Sequence, residues 1–83
     1  MLNIKILGPG CYNCDLLKMR VVEALEVLDT EATLQHITDY QQFMKYGLLF
    51  TPGLVVNEKL VVAGRVPASS EIVTFLSTAA DGD

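Results

Sequence analysis

The feature that most constrains this chain is a strand-like segment that passes through a glycine-rich break into a long helical pattern. Residues 2–7 alternate at first and end fully apolar, which is typical of a central, mostly buried β-strand. Residues 8–10 read Gly-Pro-Gly and predict a turn. From about Tyr12 to Leu28, apolar residues recur at three- and four-residue spacing, which predicts a helix. The chain therefore begins with a β-α unit.

Two cysteines, Cys11 and Cys14, occupy the junction between this strand and this helix, and the chain has no others. The first turn of a helix stabilises a thiolate, because it offers free backbone N–H groups and the positive end of the helix dipole. A Cys-x-x-Cys at such a turn is typical of a dithiol/disulfide redox centre. A disulfide across so short a loop would contribute only about 2 kcal/mol to stability. The pair is therefore better placed for chemistry than for holding the fold together.

The remaining segments continue the alternation of strands and helices. A polar outer strand is predicted at 32–37, and a short helix that ends near residue 46 follows it. Two strands of a hairpin are predicted at 53–56 and 60–62, and a last helix at 69–78. Thr38 and Gln41 have the spacing of a capping box for the short helix, and Gly47 predicts its end. For the last helix, either Ala68 or Ser69 occupies the capping position.

This order, β-α-β-α-β-β-α, predicts an α/β fold. The first two strands are separated by a long helix and should be parallel, whereas the third and fourth form an antiparallel hairpin. A four-stranded mixed sheet with helices on both faces follows. We expect one domain over residues 1–78 and a flexible tail over residues 79–83.

Composition narrows the classes of function. The formal net charge is −4 with only six Lys and Arg residues, which argues against nucleic-acid binding. No apolar stretch approaches the roughly 20 residues of a membrane span, and the N-terminus lacks the pattern of a signal peptide. We therefore expect a cytoplasmic protein, without membrane or cofactor, that acts as a monomer.

The Cys11–Cys14 pair, the Thr51–Pro52 step and the order of elements together resemble the thioredoxin superfamily. The chain is most similar to its small redox-active disulfide proteins, which are glutaredoxin-like in size. The segments that carry the resemblance span residues 4–14, 46–54 and 61–67. The resemblance implies a thioredoxin-like fold and a thiol–disulfide oxidoreductase that acts on protein disulfides and accepts electrons from a thioredoxin-reductase-like donor.

The resemblance also implies roles for the four residues of the motif. Cys11 would attack the substrate disulfide as a thiolate, with a pKa below the free value of about 8.5. Cys14, one turn later, would resolve the resulting mixed disulfide. Tyr12 and Asn13 would tune the redox potential, and since no strong cationic neighbour is evident, we expect a reductant or mild exchange catalyst.

A second segment completes the site that the resemblance implies. A cis peptide bond at Pro52 would expose the backbone of Thr51 beside Cys11. An extended substrate segment could then pair with that backbone.

Three further polar residues have open interpretations. Lys5 either extends to solvent with its stem on the sheet, or lies beneath Cys14 where thioredoxin has a carboxylate. His36 is expected to be a polar surface residue of the outer strand. Arg65 is either a solvated loop charge or a contact for an anionic partner. It lies in the loop where glutaredoxins hold glutathione, and the acidic or hydroxyl residue usual there is missing, so glutathione is not the expected thiol.

Two alternatives compete with the redox interpretation. A module that binds Cu(I) or Zn(II) could use the same Cys-x-x-Cys, although such domains follow the first helix with a strand hairpin and end on a strand. A closed zinc site would need two ligands in addition to the cysteine pair. The chain has one histidine and no further cysteine, so we expect no metal site in a monomer. The other alternative is an interaction module with an incidental disulfide.

Overall fold

The computed structural model describes residues 2–10, 12–48 and 50–81. It contains the elements β1 (Leu2–Leu7), α1 (Tyr12–Leu28), β2 (Ala32–Ile37), α2 (Tyr40–Lys45), β3 (Gly53–Val56), β4 (Lys59–Ala63) and α3 (Ser69–Asp81). This is the predicted order β-α-β-α-β-β-α. No helix within the described ranges is both long and apolar enough to cross a membrane.

The four strands form one mixed sheet in the order β2-β1-β3-β4. Strand β1 pairs in parallel with β2, from Leu2 opposite Ala32 to Leu7 opposite Ile37. Strand β3 runs antiparallel to both β1 and β4. The predicted parallel crossover and antiparallel hairpin are therefore both confirmed.

Helices cover both faces of the sheet, as predicted. Helices α1 and α3 pack against each other on one face, over a core that includes Ile4 and Ile6 of β1. A smaller cluster of Leu7, Phe43, Leu48 and Val55 lies under α2 on the other face. Because successive strand residues point to opposite faces, Lys5 lies on the α2 side and its neighbours Ile4 and Ile6 on the α1 side.

The N-terminal end of α2 differs from the prediction, and its C-terminal end agrees with it. The N-cap is Asp39, not Thr38: the Asp39 backbone is extended, and its side chain accepts a hydrogen bond of 2.9 Å from the Gln41 N–H. The predicted end is confirmed, because Gly47 has a φ of +74°. Its N–H and that of Leu48 donate to the carbonyls of Met44 and Phe43, each at 3.0 Å, which is a Schellman motif.

The β3–β4 turn is tighter than predicted. It contains only Asn57 and Glu58, with φ values of +50° and +69°, as in a type I′ hairpin turn. Strand β4 therefore begins at Lys59, inside the segment predicted as a loop. Further along β4 the pairing contains a β-bulge. Leu60 lies opposite Val55 and Val62 lies opposite Leu54, so Val61 is an extra residue on the β4 side.

Helix α3 is longer than predicted. It begins at Ser69, with the Ala68 carbonyl accepting from the N–H groups of Glu71 and Ile72 at 3.0 and 3.1 Å, so Ala68 occupies the cap. The helix continues to Asp81, beyond the predicted end at Thr78. Ala79 packs partly buried against the core, which explains the extra turn. Residues 82 and 83 lie outside the described residues.

Candidate active site

The described part of the Cys-x-x-Cys motif has one buried and two exposed side chains. Cys14 lies in the first turn of α1 and is completely buried on the face of the helix that packs on the sheet. Tyr12 and Asn13 are exposed, Tyr12 to 78%. Cys11 lies outside the described residues, so its predicted role as the attacking thiolate stays a prediction.

Gly8 joins the two halves of the site. It is buried at the end of β1, and a Cβ at this position would overlap the Sγ of Cys14. The same Cβ would lie 3.9 Å from the Cα of Pro52. The missing side chain of Gly8 therefore lets the Cys14 sulfur approach the end of the strand, beside the Pro52 backbone. The sequence pattern predicts Gly8 only as a strand break, although a glycine at the end of a buried strand also indicates close approach.

The Thr51–Pro52 segment lies directly before β3. The peptide bond between the two residues is cis, as the resemblance implies. Thr51 is exposed and Pro52 is buried. The carbonyl oxygen of Pro52 accepts a hydrogen bond of 2.9 Å from the N–H of Gly64, in the loop between β4 and α3. The structure thus brings Cys14, Thr51 and Pro52 to the same end of the sheet.

His36 contributes to the same region. Its side chain is exposed on β2, as expected, but its Nε2 lies 3.1 Å from the carbonyl oxygen of Gly8. Because a carbonyl only accepts, the ring nitrogen must be the donor. The N–H of Gly8 in turn donates to the carbonyl of Ile37 at 3.0 Å. Strand β2 therefore holds both polar backbone groups of the glycine that contacts Cys14.

Lys5 takes neither of its predicted positions. Its Nζ donates to the Tyr46 hydroxyl at 2.8 Å and to Oε1 of Glu58 at 2.7 Å, and only 16% of its side chain is exposed. The Tyr46 hydroxyl donates to Oε2 of Glu58 at 2.7 Å, which closes a triad. Since Lys5 faces α2 and Cys14 belongs to α1 on the opposite face, Lys5 does not lie beneath Cys14.

The triad changes the ionisation of its charged members. Hydrogen bonds from Lys5 and then Tyr46 hold the pKa of Glu58 below its ordinary value. Hydrogen bonds to Glu58 and then Tyr46 raise the pKa of Lys5. Both shifts favour the charged forms, so the triad remains an ion pair at neutral pH.

Arg65 is bound within the protein and is not simply a solvated charge. Its guanidinium makes two bonds to the Glu71 carboxylate, Nη2 to Oε2 at 3.0 Å and Nη1 to Oε1 at 3.4 Å. The hydrogen bond from Arg65 also holds the pKa of Glu71 below its ordinary value. A second cation, Arg20, donates to the carbonyls of Val66 and Pro67 at 3.4 and 3.1 Å. Both arginines near this loop therefore have partners in the protein.

The order of elements differs from that expected for the metal-binding alternative. A heavy-metal-associated domain would follow α1 with a strand hairpin, whereas here β2 and β3 are separated by α2, and the last element is a helix. Among the described residues, no three His, Cys, Asp or Glu side chains are grouped so that they could hold a metal ion.

The sheet order, the parallel β1–α1–β2 crossover and the approach of Cys14 and the cis-proline segment to the same glycine at the end of β1 define a protein of the thioredoxin-fold class. Comparison with known proteins gives the family. A sequence model of the family described as "Thioredoxin domain" matches residues 2–77, so the chain belongs to the thioredoxin family and is a thiol–disulfide oxidoreductase.

Two archaeal relatives are similar over nearly their whole lengths. A protein named thioredoxin from Methanothermobacter thermautotrophicus is 38% identical over 77 residues, which cover 93% of this chain and 100% of the relative. A protein named thioredoxin from Methanocaldococcus jannaschii is 29% identical over 82 residues, which cover 99% of this chain and 94% of the relative.

Proposed function

We propose that Cys11 and Cys14 form the dithiol that reduces disulfides in protein substrates, with Cys11 as the attacking residue and Cys14 as the resolving one. The observation that carries this assignment is the contrast in exposure within the first turn of α1. Cys14 is completely buried against Gly8, whereas Tyr12 and Asn13 are open to solvent. A buried sulfur cannot reach a disulfide in another protein, but it can attack a bond formed three residues away.

The reaction balances as two successive thiol–disulfide exchanges. The Cys11 thiolate attacks one sulfur of the substrate, forms a mixed disulfide and releases the other substrate sulfur as a thiolate, which takes a proton from solvent. The Cys14 thiol then gives its proton to solvent, and its sulfur attacks the Cys11 sulfur. This closes the Cys11–Cys14 disulfide and releases the second substrate sulfur as a thiolate, which takes a proton from solvent. The substrate gains two electrons and the protein loses two.

Thr51 and Pro52 are proposed to hold the substrate backbone. Thr51 is exposed next to Pro52, whose carbonyl is bound by Gly64 and whose Cα lies close to Gly8. A fixed, exposed backbone segment can pair with an extended peptide through main-chain hydrogen bonds. Tyr12 and Asn13 are proposed to tune the redox potential, because they border the reacting sulfurs.

The electron donor is proposed to be a thioredoxin-reductase-like protein in the cytoplasm and not glutathione. The support is electrostatic. Glutathione is an anion, and the two arginines near the loop after β4 are already bound, Arg65 to Glu71 and Arg20 to the carbonyls of Val66 and Pro67. Glutathione carboxylates bound there would compete with the Glu71 carboxylate for Arg65 and with two backbone carbonyls for Arg20.

The assignment of roles can be tested by trapping the mixed disulfide. Reduced Cys14→Ser protein is incubated with a disulfide-containing protein such as insulin, and the adducts are separated without reductant and mapped by mass spectrometry. We expect adducts linked through Cys11, because the residue that would release them is missing. They should exceed those of Cys11→Ser by at least about tenfold, since the remaining sulfur in that variant is buried.

The wild-type protein serves as the control and should accumulate little adduct, because it resolves what it forms. Equal trapping by Cys11→Ser would show that Cys14 also attacks external disulfides, and the assignment of roles would then be wrong.

A further inference from the structure

An exposed aromatic side chain lies at the edge of the redox site. Phe50 is 70% exposed and precedes Thr51 and Pro52 in the same segment. The second exposed aromatic residue of the region, Tyr12, lies within the Cys-x-x-Cys motif at 78% exposure. The segments that carry these two rings meet where Gly8 contacts Cys14 and Pro52.

The base of the Phe50 side chain lies against the loop after β4. Gly64 has a φ of +78°, and a Cβ on this residue would lie 3.1 Å from the Cβ of Phe50 and 3.8 Å from its Cγ. The missing side chain of Gly64 therefore provides the space that the base of Phe50 occupies. The same glycine donates its N–H to the carbonyl of Pro52. Gly64 thus lies against the base of Phe50 and also binds the backbone proposed to hold the substrate.

The cation next to Gly64 in the chain is already paired. Arg65, next to Gly64, makes its two bonds to Glu71 on α3. An exposed aromatic ring offers a substrate apolar contact, and the arginine of the neighbouring loop is engaged with Glu71. Aromatic side chains provide large contact areas at small entropic cost, since few torsions need to be fixed.

We propose that Phe50 is a specificity-determining residue that contacts an apolar side chain next to the cysteine of a polypeptide disulfide substrate. This inference rests on the proposed function, because it requires the substrate to lie along Thr51 and Pro52. Phe50 thereby selects among protein substrates: those with an apolar residue beside the disulfide react faster than those with a polar one.

The test compares two peptides that carry the same disulfide and differ only in having leucine or serine beside the cysteine. The quantity measured is the ratio of kcat/KM for the leucine peptide to kcat/KM for the serine peptide. The wild-type protein should prefer the leucine peptide, and Phe50→Ala should lower the ratio by about tenfold, the effect of losing one well-packed ring contact. Phe50→Leu, which keeps an apolar side chain, should restore most of the ratio.

Met44→Ala is the matched control, because Met44 is 78% exposed but lies on α2, on the other face of the sheet. It should leave the ratio unchanged. The inference is overturned if Phe50→Ala leaves the ratio at the wild-type value, or if it lowers kcat/KM equally for both peptides.

The proposed function fails in a different way, so the two failures can be separated. If Cys11→Ser reduces the two peptides as fast as the wild-type protein, the assignment of the redox pair is wrong, whatever Phe50 does. If Cys11→Ser is inactive and the Phe50 variants do not change the ratio, only the specificity inference is lost.

Discussion

At the scale of single residues, Gly8 shows how a missing side chain can shape a reactive site. The glycine ends β1, and both of its polar backbone groups are bound by β2, through Ile37 and His36. Its bare Cα faces the Cys14 sulfur. The distance between the strand and the first turn of α1 is therefore set by the absence of a methyl group.

Gly8→Ala tests this close approach. The added Cβ would overlap the Cys14 Sγ, so we expect a loss of about 1–3 kcal/mol in the free energy of unfolding, the usual cost of overpacking. The measurement is urea unfolding of the reduced protein at neutral pH.

A double-mutant cycle identifies the cause of that loss. In a Cys14→Ala background the sulfur is gone, and the nearest remaining Cys14 atom, the Cβ, would lie 3.6 Å from the new methyl group. Gly8→Ala should then cost clearly less. An equal cost in both backgrounds would mean that the strain arises in the Gly8 backbone and not from the sulfur.

At the scale of elements, the triad of Lys5, Tyr46 and Glu58 connects parts of the chain that are far apart in sequence. It joins β1 to the end of α2 and to the β3–β4 turn. It also explains why Glu58 occupies a turn position with positive φ, where glycine would be easier. The carboxylate gains two hydrogen-bond partners that a glycine would lack.

The triad predicts a stability difference that disappears in acid. Because the folded-state pKa of Glu58 lies below its ordinary value of 4.5, the folded protein keeps this charge to lower pH than the unfolded chain. The stabilising contribution is fully present above about pH 4.5 and is lost as the pH falls through the folded-state pKa. Glu58→Gln should therefore be less stable than wild type at pH 7, and the gap should close towards pH 3.

Unfolding in urea at a series of pH values measures that gap. Glu71→Gln provides a comparison, since the pKa of Glu71 is also lowered, by Arg65, at a separate site. The effects of the two substitutions should add in the double variant. A gap between wild type and Glu58→Gln that stays constant from pH 7 to pH 3 would contradict the assignment.

At the scale of the whole molecule, the hydrophobic core does not depend on the redox pair. The larger cluster is built from β1, α1, β3 and α3, with Ile4, Ile6, Leu17 and Leu76 among its fully buried members. Reduction of the Cys11–Cys14 disulfide should therefore lower the free energy of unfolding by no more than about 2 kcal/mol, the loop-entropy value for so short a ring.

Urea unfolding with and without a phosphine reductant measures this difference. The dependence of the free energy on urea concentration should stay the same, because the same surface is exposed in both states. A larger loss on reduction, or a reduced slope, would show that the disulfide organises part of the core.

Much of this architecture follows from local patterns, and the exceptions have physical causes. The apolar periodicity of residues 12–28 predicts α1 to the residue, since it reflects burial of one helix face. The cap at Asp39 could not be distinguished from Thr38, because both side chains can cap a helix and the backbone conformation decides between them. The partners of Lys5 lie more than 40 residues away in the chain, so no local pattern indicates them.

The candidate site, too, is predictable from the sequence only in part. The motif cysteines and the Thr51–Pro52 step are recognisable from sequence, but the contacts of Gly8 and Gly64 depend on how three segments meet in space. Those contacts are visible only in the folded chain.

The extra residue in β4 has a consequence for association between molecules. Strand β4 lies at one edge of the sheet, where unpaired backbone groups could template a strand from another copy. Val61 interrupts the regular ladder, and Lys59 places a charge on the same strand. Bulges and edge lysines both hinder uncontrolled sheet extension. The irregularity at Val61 and the charge of Lys59 thus both disfavour pairing of this edge with a strand from another copy.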